Sequence, residues 1–282
     1  MRKRTKKKIQ EVLAYVVLIT IGIVMIYPLI WMFFASFKTN EEIYGSISLL
    51  PKSYSWEAFV DGWNAIGGNT YAVFFKNSFL LVIPTTLLTV VSSTLVAYGF
   101  ARFNFVGKRL AFSLLLSTLM LPNAILIIPR YSIFRNLHVL DGYGPFYLMA
   151  AFACYPFFTY MLVQFLRGLP RELDESAYID GCGTFRTLIQ ILLPLLKPAM
   201  FSAGLFQFLW TYNDYFNSLI YINTVKKFTV SLALRLSLDS ETIVIWKNVM
   251  AMSCLAVLPV VVLFFFCQKY FVEGIATSGL KG

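Results

Sequence analysis

One histidine, four scattered cysteines and 14 acidic residues are all that 282 positions offer for metal binding or acid–base chemistry. Cys154, Cys182, Cys254 and Cys267 form no CxxC pair and stand beside no histidine cluster, so neither a zinc site nor a disulfide scaffold is indicated. His138, flanked by Leu137 and Val139, has no recognisable carboxylate or cysteine partner and reads as ordinary loop chemistry. The phosphate loop GxxxxGK[ST] is missing, so the chain supplies no nucleotide site of that kind. No ring-forming filter motif argues for a channel. No convincing repeat joins the two halves, as many ion-coupled carriers would show. Charge is scarce as well: 13% of residues are Asp, Glu, Lys or Arg, against ~25% in a soluble domain.

What fills the chain instead is apolar. Hydrophobic residues make up 58%, with 27 Phe and 16 Tyr, and the mean hydropathy is +0.70. A membrane crossing takes ~20 mostly apolar residues, and six stretches qualify: Val12–Phe37, Phe79–Phe100, Leu110–Ile128, Pro145–Leu166, Pro198–Ile222 and Val249–Phe271. Each is expected to be helical, because an open strand edge in lipid leaves backbone groups unpaired. The fold class predicted is therefore an all-α polytopic membrane protein, residues 1–282 forming one transmembrane domain. Prolines at 84, 122, 129, 156 and 259 interrupt the spans and predict kinks.

The net charge of +10 is unevenly placed. Arg2, Lys3, Arg4, Lys6, Lys7 and Lys8 immediately precede the first span, which suits an anionic inner leaflet better than nucleic acid. This anchor predicts a cytoplasmic N-terminus and, over six spans, a cytoplasmic C-terminus. The first apolar run is too long for a cleaved leader and lacks a small-residue cleavage site, so it is expected to be retained. Cytoplasmic connections then carry 15 Lys and Arg, external ones 9. The external connection Lys38–Ser78 mixes Trp56, Trp63, Glu57 and Asp61, and fits either a surface loop or a cap that meets a soluble partner.

One polar block stands apart: residues 168–197, between the fourth and fifth spans. Pro170 suits a first helical turn, and Glu172, Asp174 and Glu175 place acid at the positive end of a helix dipole. Leu173, Ala177 and Ile179 supply an apolar side. Gly181 closes the helix in a left-handed conformation. Thr184 is then expected to cap a second helix toward Leu193, before Pro194 and Pro198 break or redirect the chain. An amphipathic helix lying on the bilayer is the plain alternative, but three acids within four positions sit poorly on an anionic leaflet. In the fifth span, Gln207, Trp210, Tyr212, Asn213, Asp214 and Asn217 gather polar and aromatic groups where ionisable residues usually face a wet cavity. They fit a sugar contact or, equally, helix packing, gating or a subunit contact.

The block resembles the Glu-Ala-Ala (EAA) loop of ABC-importer permeases. The matching residues are Glu175-Ser176-Ala177, Asp180-Gly181, Leu193-Pro194 and Pro198, with Ser176 departing from the middle alanine. Asn77-Ser78, Ala97–Arg102, Tyr212-Asn213-Asp214, Tyr270–Gly274 and Lys281-Gly282 extend the resemblance, in order, to the MalG-type carbohydrate branch. The resemblance implies a type I importer fold with a cytoplasmic coupling helix between helices 4 and 5. It implies contact of Glu175, Ser176, Ala177, Asp180, Gly181, Leu193 and Pro194 with an ATPase, and alternating access driven by that ATPase. It also implies partners: a second, MalF-like permease, two copies of a cytoplasmic ABC ATPase and an extracytoplasmic solute-binding protein. ATP and Mg would lie on the ATPases, with no cofactor, no catalytic residue and no nucleic acid on this chain. The implied location is a prokaryotic cell membrane, and the implied cargo a carbohydrate. Amino acids, peptides or glycerol phosphate are the alternative cargoes, and a secondary transporter is the more distant alternative.

Overall fold

A computed structural model describes residues 2–64, 68–239 and 244–279, which form helices joined by turns and loops, with no β-strand among the described residues. Lys281-Gly282 lies outside them, while Tyr270–Gly274 falls within the last helix. Two compact units divide the chain: Met1–Tyr71 with Leu234–Pro259, and Ala72–Ala233 with Val260–Gly282.

The first unit begins with α1 (Arg2–Ala35), whose apolar window from Gln10 onward buries nothing inside the chain. That is the signature of a helix solvated by something other than its own protein. The connection after it is structured. α2 (Asn40–Gly45) opens with a capping box between Thr39 and Glu42, which satisfies two otherwise orphaned N–H groups. α3 (Glu57–Asn64) follows, with the Phe37 ring against Trp56 at 5.1 Å and Phe59 at 5.9 Å. Asn40 uses both ends of its amide, donating to Val244 O at 2.7 Å and accepting from Trp246 N–H at 3.0 Å. It thereby fixes the start of α14 (Trp246–Gly279). Gly62 permits α3 to lie close to α14, since a Cβ there would come within 3.1 Å of Met252 Cε.

In the second unit, α4 (Tyr71–Arg102) starts eight residues before the predicted Phe79. The third span departs from expectation. Instead of one helix over Leu110–Ile128, α5 (Lys108–Leu119) and α6 (Asn123–Asn136) meet at 109°. Pro122 has no N–H and disfavours helical backbone at the residue before it, so α5 ends and a new helix begins. The fourth span is likewise two pieces, α7 (Gly144–Ala151) and α8 (Pro156–Gly168), separated by Ala153 at φ +53°.

The fifth span reverses the expectation about its prolines. From Thr184 to Tyr212 the chain is helical without a break, where Pro198–Ile222 was predicted. It runs as α10 (Thr184–Thr187), a π-helical stretch (Leu188–Leu192) and α11 (Leu193–Tyr212). The π turn, in which Leu193 N–H reaches Leu188 O, widens the helix just before Pro194. This accommodates a ring that would clash with the carbonyl four residues back. Gly183, not Thr184, occupies the N-cap position. α12 (Tyr215–Tyr221) is a separate short helix, and α13 (Val230–Asp239) follows. A core of Tyr98, Leu162, Leu166, Leu188, Leu192 and Leu196 holds α4, α8 and the start of the fifth span together.

Candidate functional site

The polar block folds as a short helix closed by a left-handed turn. α9 (Glu172–Ile179) has Arg171 at its N-cap, so Pro170 precedes the cap instead of entering the first turn. Its acids Glu172, Asp174 and Glu175 do occupy that turn. At the other end Gly181 adopts φ +74°. Its N–H donates to Tyr178 O at 3.0 Å, and Cys182 N–H donates to Ala177 O at 2.8 Å. These two bonds make a Schellman closure, which glycine adopts at little conformational cost.

Ala177 is buried and faces the protein, while Glu175, Ser176 and Asp180 are exposed. Ile179 does not join the packed side as expected: it is 84% exposed and Tyr178 is 83% exposed. Phe185 is exposed just beyond the turn. Large apolar side chains held outward on a rigid turn, ringed by Glu175 and Asp180, form a surface suited to another protein. Leu193 packs against the buried core, and Pro194 lies in the first turn of α11.

The grip of this helix on the spans comes from residues the motif does not contain. Arg102, the last residue of α4, approaches Asp174 at 3.0 Å with its side chain 7% exposed. It also donates to Leu169 O at 3.3 and 3.4 Å. Tyr98 donates its hydroxyl hydrogen to Thr184 O at 3.1 Å. Both ends of the α9 segment are therefore tied to the end of α4.

The fifth-span candidates separate into two groups. Gln207, Trp210, Asp214 and Asn217 line a cleft of about 370 Å³, together with Asn123, Arg130 and Tyr155. Asp214 caps α12, accepting from Asn217 N–H at 3.0 Å and from the Asn217 amide at 2.8 Å. Trp210 is half-exposed against Phe157 and Phe158, each 5.1 Å away. Tyr212 and Asn213 do not join them. Tyr212 is buried and stacks on Phe208 at 5.9 Å, and the exposed Asn213 donates to Leu209 O at 2.8 Å. The helical period decides this split, since residues 207, 210, 214 and 217 fall at spacings of three and four. Arg130 and Tyr155 escaped the sequence reading because the fifth-span residues they meet are about 50 to 90 positions away.

A further cluster organises the side of this unit formed by the connections after α6 and α12. Asp141, at φ +56°, accepts from Asn223 N–H at 3.0 Å and Thr224 N–H at 2.8 Å. Its other carboxylate oxygen pairs with Lys227 Nζ at 2.9 Å. Lys227 holds the Asp141 carboxyl well below the usual carboxylate range, aided by Thr224 and Asn223 and opposed by partial desolvation. Asn77 donates to Lys226 O at 2.8 Å and Phe228 O at 3.0 Å, joining the start of α4 to the same loop.

Comparison with known proteins gives these surfaces a context. Residues 90–277 match the family described as "Binding-protein-dependent transport system inner membrane component". The chain is 32% identical to a probable ABC transporter permease protein, YurM, of Bacillus subtilis, across 100% of this chain and 92% of the relative. It is 30% identical to the trehalose/maltose transport system permease protein MalG of Thermococcus litoralis, across the whole of both. Its fold is that of a chain in the crystal structure of a bacterial ABC transporter involved in importing the acidic polysaccharide alginate. There the TM-score is 0.80 at 18% identity, covering 94% of this chain and 98% of that one.

Proposed function

Because the chain belongs to the family of binding-protein-dependent transport system inner membrane components, we propose that it is the permease subunit of an ATP-driven importer for a carbohydrate, with an oligosaccharide the favoured cargo. Permeases of this kind are not enzymes themselves; they work with a partner permease, an ATPase and a binding protein. In our reading the partner permease is MalF-like, two ATPase copies hold ATP and Mg, and both termini of this chain face the cytoplasm. The sugar assignment rests on relatives such as the trehalose/maltose permease.

The observation that carries the coupling reading is the α9 turn. Exposed Tyr178 and Ile179 beside Glu175, Ser176 and Asp180 suit a cleft in the ATPase. Closure of the ATP-bound ATPases pushes α9, and the push divides along two routes. Arg102 and Tyr98 pass it to α4. The unbroken 29-residue helix from Thr184 to Tyr212 passes it over ~43 Å at 1.5 Å per residue, ending beside Asp214. Leu193 and Pro194 lie where that rod leaves the π turn. Hydrolysis releases the push and returns the spans to their inward-open arrangement.

Reconstitution tests this. The chain, its genomic neighbours for the partner permease and ATPase, and their binding protein are placed in vesicles and offered radiolabelled maltotriose and arabinotriose. ATP-dependent accumulation of a trisaccharide supports the reading; accumulation only of amino acids, peptides or glycerol phosphate replaces the carbohydrate assignment.

A further inference from the structure

A cluster of cations gathers in the second unit where α5 and α9 begin and α8 ends. Lys108 opens α5 and Arg109 follows it, Arg167 stands in the last turn of α8, and Arg171 is the N-cap of α9. The Arg167 guanidinium lies over the Phe112 ring, 4.6 Å from its centroid, a contact of cation and ring face that fixes where its charge sits. Phe112 is four residues beyond Lys108, so the two share a face of α5. Arg167 and Arg171 both stand close enough to Lys108 for their charges to oppose its own.

These charges go unanswered among the described residues, where none of the four forms an ion pair. Lys108 donates to a neutral carbonyl, Phe103 O, at 2.6 Å, and the first turn of α5 holds no acid. Of the acids in α9, Asp174 is taken by Arg102, while Glu172 and Glu175 are exposed. Like charges held together without a counter-charge repel, a cost that a bound anion removes. The flank of the patch is apolar. Val106 is fully exposed, Leu110 and Leu114 are 66% and 58% exposed, and no residue of α5 is buried. A helix of this kind in a membrane is solvated by acyl chains, so the anion that reaches its charged start from the bilayer is one that carries a tail.

We propose that Lys108, Arg109, Arg167 and Arg171 form a binding site for the phosphate of one anionic phospholipid, whose tails lie against α5. Arginine offers paired N–H donors to phosphate oxygens and lysine a point charge, and basic pockets between spans suit anionic headgroups. The bound headgroup ties the end of α8 and the start of α9 to α5, and lipid thereby joins the support from which α9 is held out. Binding follows from the patch itself; its assignment to the inner leaflet rests on the orientation proposed above.

The test is native mass spectrometry of the complete importer, released from membranes of equal parts phosphatidylcholine and phosphatidylglycerol. Each basic residue near an anionic surface is worth about a fivefold change in binding. Lys108→Gln with Arg167→Gln is therefore expected to retain phosphatidylglycerol at least tenfold less than the unmodified complex, with phosphatidylcholine unchanged. Arg109→Gln with Arg171→Gln, which leaves the Arg167 ring contact intact, should lose as much. Lys7→Gln with Lys8→Gln removes the same charge from the N-terminal basic run and should stay within twofold of the unmodified complex. Unchanged retention in both cluster pairs overturns the proposal, as does an equal loss in the N-terminal pair, which would make the effect one of dispersed charge. Inorganic phosphate should leave the lipid in place; displacement by it would make the site one for free phosphate. A cluster pair that sheds a protein subunit in place of lipid would assign the charges to a partner's acids, again overturning the proposal. An unmodified complex without ATPase subunits overturns the importer reading and the inner-leaflet assignment with it, and leaves the lipid site to be judged by the retention itself.

Discussion

Gly181 shows how much one backbone angle can carry. At φ +74° a side chain is strained whatever space surrounds it, and an added Cβ would meet nothing within 4 Å. Gly181→Val therefore costs local conformation, ~1–2 kcal/mol, without a clash. It is expected to insert and accumulate normally while the turn that presents Tyr178 and Ile179 loses its shape. ATP-dependent uptake should fall below a tenth of the unmodified level, and normal uptake in vesicles would contradict the coupling assignment. Arg102 is a second single-residue test. Its pair with Asp174 is half way between a buried bridge and an exposed one, so Arg102→Ala should cost about 2 kcal/mol, between the ranges for the two kinds. Limited proteolysis should then cut the 169–183 segment sooner than the rest of the chain. The sequence made Asp174 visible as a helix-dipole acid; only the fold supplied its partner, 72 positions earlier.

Two elements owe their geometry to residues whose role the pattern did not reveal. Pro194 and Pro198 lie inside a continuous helix because five residues of π turn precede the first of them. Periodicity finds such a helix but cannot register one extra residue per turn. Pro194→Ala removes the steric reason for the wide turn, and relaxation to an α-helix rotates everything before residue 188 by ~100° relative to α11. The expected result is a protein of equal or higher melting temperature whose uptake drops several-fold, measured by calorimetry and vesicle transport. The Asp141 cluster is the opposite kind of element, an irregular loop fixed by charge. Its carboxyl is held well below the ordinary value, chiefly by Lys227. A pKa lowered on folding adds stability that is complete above the unfolded value of ~3.9 and is lost only as pH falls through the folded one. Between pH 5 and 8 the clamp is thus constant. Asp141→Asn should lower the melting temperature at pH 7 and flatten the loss of stability below pH 4, seen in melts across that range.

At the scale of the whole molecule, long apolar runs made the spans and their approximate order legible, and the Gly181 turn was legible because glycine, acid and proline sit at informative spacings. Pro122 and Pro156 marked where the third and fourth spans are interrupted, but the size of the bend, 109° at the first break, and the left-handed Ala153 at the second were not legible. Distance in sequence hid Arg130 and Tyr155 from the cleft, whereas the helical period turns Tyr212 away from Gln207 and Trp210. What joins the two sites is the unbroken Thr184–Tyr212 helix, whose start adjoins the α9 turn and whose end adjoins the cleft. A rod of this kind makes the cleft an indicator of events at the ATPase. Cys154 is exposed and lines the cleft. In the assembled importer, a non-hydrolysable ATP analogue should therefore change the maleimide reactivity of Cys154 at least threefold, because moving the rod re-forms the break in which Cys154 lies. Gly181→Val should abolish the response while leaving the basal rate of Cys154 labelling unchanged, since that substitution touches nothing near the cleft. If the analogue still altered Cys154 in the variant, force would have to reach the cleft by a route other than the α9 turn, and α4 through Arg102 would be the next element to sever.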